Sequence, residues 1–153
     1  MNRIHGSGFR HVITTATQMI PERIRELSST DFLCGADPIF VGLHRFESAS
    51  YGRSYRDTAH CVEPQHQLHA PRSQRRTTIV LPSLVAPSVV VHEMGHVLHA
   101  RLAHEHRAQP VSWYASTDHF EAFAEAFTSW LIPGYAARPD DATIALLERL
   151  ASE

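Results

Sequence analysis

The stretch Val89-Val90-Val91-His92-Glu93-Met94-Gly95-His96-Val97-Leu98-His99-Ala100-Arg101-Leu102-Ala103 decides how the rest of the chain reads. His92 and His96 are four residues apart. On an α-helix this spacing sets them about 40° apart around the axis and roughly 6 Å apart along it, so both imidazoles reach one metal ion. Glu93 projects from the flank of that face, close enough to meet a water at the ion without ligating it. His-Glu-x-x-His is the pattern in which two imidazoles bind zinc and the glutamate acts as base. A shuffled chain of this composition, with its twelve histidines in 153 residues, would hold the pattern with a probability of roughly 6%. The flanking residues therefore have to decide.

They favour a buried helix. Pro87 followed by Ser88 and the run Val89–Val91 reads as a helix start, because proline lacks the N–H that a first turn leaves unpaired. Val90, Val91, Met94, Val97, Leu98 and Leu102 then cover a wide apolar face, as a helix inside a small domain requires.

A second informative stretch runs from Trp113 to Trp130, WYASTDHFEAFAEAFTSW. Phe120, Phe123, Ala124, Phe127, Trp130 and Leu131 recur at helical spacing, and Ser116, Thr117 or Asp118 can cap the start. Glu121 and Glu125 stand one turn apart on this helix, which is mostly aromatic and alanine and ends at Pro133-Gly134. Carboxylates in such surroundings need partners. Spacing alone permits either glutamate as a third metal ligand. His104 and His106, just past the first helix, read as solvated side chains, although a ligand from them would complete a site of another kind. His99 shares the face of His92 but lies about 10 Å along the axis, too far to share its ion. His119 is placed to edge the cleft.

His92-Glu93-Met94-Gly95-His96, then Tyr114, then Glu121-Ala122-Phe123-Ala124-Glu125-Ala126-Phe127 resemble the catalytic motifs of the anthrax lethal factor type of zinc metallopeptidase. That group includes secreted bacterial endopeptidases that cut between prolines, and belongs to the gluzincins, whose third zinc ligand is glutamate. The resemblance covers about Val89 to Trp130. It implies one zinc ion per chain held by His92, His96 and Glu121, with Glu93 as general base, Tyr114 as a transition-state hydroxyl and Glu125 supporting a histidine ligand from behind. The implied fold is α+β, a minimal zincin-like domain with a small twisted mixed sheet packed on an active-site helix and a glutamate-bearing helix. The implied substrate is a peptide or protein bound as an extended strand along a sheet edge, placed within Ser54 to Val62. The metzincin alternative fails, because it needs glycine at 99 and histidine at 102, where this chain has His99 and Leu102. A catalytically degenerate zincin, serving as a zinc-stabilised protein-binding module, would keep the ligands but has no need of Glu93 or Tyr114.

The remaining sequence frames this core. A chain of 153 residues, 43% hydrophobic and 20% charged with a net charge of −2, predicts one domain over 9–153 behind a loose tail at 1–8. Neither a nucleic-acid nor a membrane partner is indicated. The run from Val12 to Ile20 is interrupted by threonines and Gln18 and does not read as a signal peptide. The expected location is cytoplasmic, or exported by a route that uses no recognisable signal.

Phe9 to Ala16, rich in β-branched residues, predicts a strand; Ile20, Ile24 and Leu27 around Pro21 predict a short helix. Ile39 to Phe46 and Thr77 to Leu81 predict strands, and Ser50 to Glu63 one or two more. Residues 64–76 read as a loop. Cys34 and Cys61 lack the spacing of a metal knuckle and read as buried thiols. Asp140 or Asp141 caps a last amphipathic helix through Ile144, Leu147 and Leu150.

Overall fold

The computed structural model describes residues 4–5, 7–34, 60–62, 78–81 and 84–153. In chain order these are β1 (Ile4–His5), a 3-10 turn (Ser7–Phe9), α1 (Arg10–Gln18), α2 (Glu22–Leu27), β2 (Asp31–Cys34), β3 (His60–Val62), β4 (Thr78–Leu81), α3 (Pro87–Arg101), a 3-10 turn (Tyr114–Ser116), α4 (His119–Leu131) and α5 (Asp141–Ser152). The arrangement is α+β: a four-stranded mixed sheet of order β1-β2-β4-β3 beside a helical layer. No described helix is long and apolar enough to cross a membrane. The strand predicted at Ile39 to Phe46 and the loop at 64–76 lie outside the described residues.

Every residue of β4 is buried. Its apolar run Ile79-Val80-Leu81 suits a strand flanked on both sides, parallel to β2 and antiparallel to β3. Among the described residues β3 forms one edge of the sheet, with Cys61 opposite Ile79, inside the stretch expected to carry an edge. Cys34 is a free, half-buried thiol, which burial pushes up to about 11.

Two readings of the N-terminal part are corrected. Ile4–His5, in the stretch read as a loose tail, pairs with Phe32 and Leu33 as a parallel strand. Phe9 to Ala16 does not form a strand: Arg10–Gln18 is helical, and Val12, Ile13 and Ala16 are its buried positions. Those three fall at i, i+1 and i+4, a helical face, and α1 lays it against α3. Tertiary packing there outweighs the β-propensity of Val12, Ile13 and the threonines.

The helices around α3 form where expected. Pro87 occupies the first turn of α3 and Ala86 caps it without a side-chain bond. Asp118 starts α4 by accepting from the N–H groups of Phe120 and Glu121 at 2.9 and 2.8 Å. Asp140 starts α5 by accepting from Thr143 N–H at 3.1 Å. α3 packs mainly against α4, with Met94, Val97, Leu98, Phe123 and Phe127 fully buried at or near that contact. Each large side chain so buried contributes roughly 1.5–3 kcal/mol against exposure. Phe120, expected on the buried face of α4, is 40% exposed, with its ring edge-on to His99 at 6.0 Å between centroids.

Candidate metal centre

Gly95 sets how closely α3 and α4 approach. A Cβ built on it would lie 3.0 Å from the Ala124 Cα and 3.1 Å from a Phe127 ring carbon. With only a hydrogen there, the backbone of α4 passes directly against the turn that separates His92 from His96. Glu121 and Glu125, one turn apart on α4, are thereby carried to the two imidazoles.

The carboxylate of Glu121 lies between the histidines. Its Oε2 is 3.0 Å from His92 Nε2 and 3.4 Å from His96 Nε2. One ligand atom from each of His92, His96 and Glu121 lies within 4.8 Å of the others, and no other group of three metal-ligating residues does so among the described ones. Four ligands at roughly 2.0–2.1 Å in a tetrahedron stand about 3.3 Å from one another, so the two short separations match the edges of a zinc-sized polyhedron. Two imidazole nitrogens and one carboxylate oxygen are also a zinc-type donor set. These residues could hold a metal ion.

Glu125 takes the outer side of His92. Its Oε1 accepts from His92 Nδ1–H at 2.9 Å and from the Tyr135 hydroxyl at 2.8 Å, and its Oε2 accepts from the Ser112 hydroxyl at 2.9 Å. Having the proton on Nδ1 turns the Nε2 lone pair of His92 toward Glu121 and His96. In the metal-free protein a second proton fits at Nε2. Burial disfavours charge on His92, yet the Glu121 and Glu125 carboxylates outweigh it and push the imidazole up to about 9. Both carboxyls are held below the usual carboxylate range: burial works against them, and the bonds from His92 prevail in each case.

Glu93 is buried at the same place, and its Oε2 has no hydrogen-bond partner. Burial pushes its carboxyl up against the pull of His96 and His92, while Glu121 adds to the rise. An acceptor buried without a partner calls for an explanation, and a water bound beside the histidines would supply one. Tyr114 is 37% exposed on the 3-10 turn ahead of α4, with its ring centroid 6.0 Å from that of His92.

The structure thus brings together His92, Glu93, His96, Tyr114, Glu121 and Glu125. His99 stays apart: its Nε2–H donates to the His106 carbonyl at 2.9 Å, and its ring stacks on Phe123 at 4.3 Å between centroids. Its Nδ1 is buried without a partner. Burial, with His104, His119 and His96 nearby, takes this imidazole down to about 4 against the opposing His106 carbonyl. His104 and His106, read as solvated, are half-buried. His104 packs edge-on to His99 and Phe120, and His106 reaches the Thr143 hydroxyl at 2.8 Å. The positive φ angles of Ala103 and His104, 55° and 56°, fold the chain back at the end of α3 and produce this contact. His119 packs on Phe120 and neighbours His99.

Sequence reasoning missed Ser112 and Tyr135. Neither belongs to a motif, and both reach Glu125 from irregular segments whose paths local periodicity does not specify. No protein-family model, curated protein or solved structure matches the chain, so the chemistry of the site rests on its own geometry.

Proposed function

We propose that this chain is a zinc-dependent endopeptidase of the gluzincin type, similar in its site to the lethal factor and proline-cutting peptidases. One observation carries the reading. A three-donor cluster of His92, His96 and Glu121 has beside it a buried glutamate, Glu93, with one oxygen unpartnered. A purely structural metal site uses all four ligand positions and has no need of such a base. Zinc held by the Nε2 atoms of His92 and His96 and by Glu121 would supply Lewis acidity and one open position for water or substrate.

The chain's own groups perform the rest. Glu93 takes a proton from the water that attacks the peptide carbonyl, and returns it to the leaving amine. The Tyr114 hydroxyl donates to the oxygen that becomes negative in the transition state. Glu125, accepting from it, keeps the proton on His92 Nδ1 throughout. A peptide laid along the edge formed by His60–Val62 would present its carbonyls by backbone pairing.

Purified protein is expected to carry one zinc per chain and to cleave members of a peptide library. Glu93→Gln should retain the metal and fall below a tenth of the wild-type rate, because the substitution removes the base and leaves every ligand. A variant that keeps a tenth or more overturns the role of Glu93. Zinc binding by wild type without any cleavage would instead mark a binding module.

A further inference from the structure

Glu125 is held by more than His92. Its two oxygens receive three donors from three separate parts of the chain: His92 on α3, Ser112 ahead of the 3-10 turn, and Tyr135 beyond α4. The last of these requires a reversal. From Glu125 the helix runs on to Leu131, about 9 Å further along its axis, so a residue ten positions on can return only if the chain doubles back. Gly134, at φ +82°, and the bond from Tyr135 N–H to the Ile132 carbonyl make that turn. Ser129 Oγ donates to the Ala137 carbonyl at 2.6 Å, and Ala137 N–H donates to the Val111 carbonyl at 3.2 Å. The segments carrying Ser112 and Tyr135 are therefore fastened to each other as well as to Glu125. Ser112 has a second task, since its Oγ accepts the Ala115 N–H at 3.0 Å inside the turn that carries Tyr114.

We propose that Ser112 and Tyr135 form a two-loop clasp, and that both are positioning residues which act through Glu125 on the metal-ligating face of His92. A carboxylate with three fixed donors cannot rotate away, so the imidazole keeps its proton on Nδ1 and its ring plane in one orientation. Such outer partners set metal affinity although they never touch the ion. Ser112 also ties the placement of the Tyr114 turn to the same carboxylate. Any disturbance of the Glu125 hub reaches both His92 and Tyr114.

This inference rests on the metal-site reading, so its test has one arm with metal and one without. Chelator competition on Tyr135→Phe and Ser112→Ala should show zinc binding weakened by about 10-fold each, the lower end of outer-partner effects. Adding Tyr135→Phe to Glu125→Ala should weaken zinc by less than about 2-fold further, because the route through Glu125 is already cut. In zinc-free protein, the long-range proton–nitrogen NMR signals of the His92 ring should shift or broaden in both single variants, while those of His99 stay in place. Unchanged His92 signals, or zinc losses that add fully to that of Glu125→Ala, overturn the clasp. Should wild type bind no zinc, the metallopeptidase reading falls, and the zinc-free spectra still decide the clasp.

Discussion

His92 and His99 lie two turns apart on one face of one helix, and their surroundings give them opposite characters. His92 meets Glu121 and Glu125, carries acceptors at both ring nitrogens and is pushed up to about 9. His99 meets Phe123, gives its only bond to a backbone carbonyl and is held down at about 4. Both rings are buried, so burial does not separate them. The partners on α4 do: carboxylates at 121 and 125 face the middle turns of α3, and an aromatic ring faces the last. A histidine's chemistry in this protein is written on the helix opposite to it.

The sharpest way to break that contrast is to remove the carboxylate between His92 and His96. Glu121→Ala should weaken zinc by more than 100-fold, beyond what loss of an outer partner costs, whereas His99→Gln should leave the affinity within about 3-fold of wild type, consistent with independent sites. Chelator competition measures both. If His99→Gln loses more metal than Glu121→Ala, the division between the two histidines is wrong.

Tyr114→Phe probes the rim of the His92 site. The proposed donor role predicts a fall in kcat on the order of 10²-fold with KM little changed, read from steady-state cleavage of a library-derived peptide. An unchanged kcat would make Tyr114 a packing residue.

Gly95→Ala tests the approach that creates the contrast. The added methyl meets backbone at 3.0 Å, which cannot give as a flexible side chain would. Thermal melting should report a loss of about 1–3 kcal/mol, typical of overpacking. Zinc affinity should fall with it, because Glu121 and Glu125 move out with α4.

The smallest effect is on pH dependence. In zinc-free protein, unfolded His99 gains a proton near pH 6.5 while the folded ring stays neutral down to about pH 4. Stability should therefore fall as pH drops from 6.5, by at most about 1.4 kcal/mol per pH unit from this group. His92 acts in reverse: its folded form keeps a proton up to about pH 9. Its contribution is complete below pH 6.5 and is lost as pH rises toward 9. The depressed Glu121 pKa reports the same interaction from its other end and counts once. Buried Glu93, with its raised carboxyl, acts in the opposite sense in this range but equally in both proteins. In melting curves between pH 4.5 and 6.5 the stability of wild type relative to His99→Gln should therefore fall as pH drops; a difference that does not change with pH would refute the buried neutral ring. The window stops at 4.5, below which Glu121 and Glu125 begin to lose their own contributions.

The sequence by itself determined the elements whose local chemistry is strong. Pro87 and the apolar run after it mark α3, the cluster Ser116, Thr117 and Asp118 marks the start of α4 and Asp140 or Asp141 that of α5, and the run Thr77 to Leu81 marks a strand; the structure then selects Asp118 and Asp140 as the caps and buries Thr78–Leu81. It also set His92 and His96 one turn apart and Glu121 and Glu125 one turn apart, since helical spacing is a property of the backbone.

Only the tertiary structure decided what each pair meets. Helix α1 overrode β-branched residues because α3 offered it a face to cover. The positions of the two glutamates, left open by spacing, followed from the closeness that Gly95 permits: Glu121 came to lie between the imidazoles of His92 and His96, and Glu125 on the outer side of His92. Ser112 and Tyr135 joined Glu125 through turns defined by single bonds and one left-handed glycine. Short-range spacing follows from bonds along the chain, whereas a site assembled from residues 92 to 135 depends on which faces pack, and packing energy belongs to pairs of elements rather than to either alone.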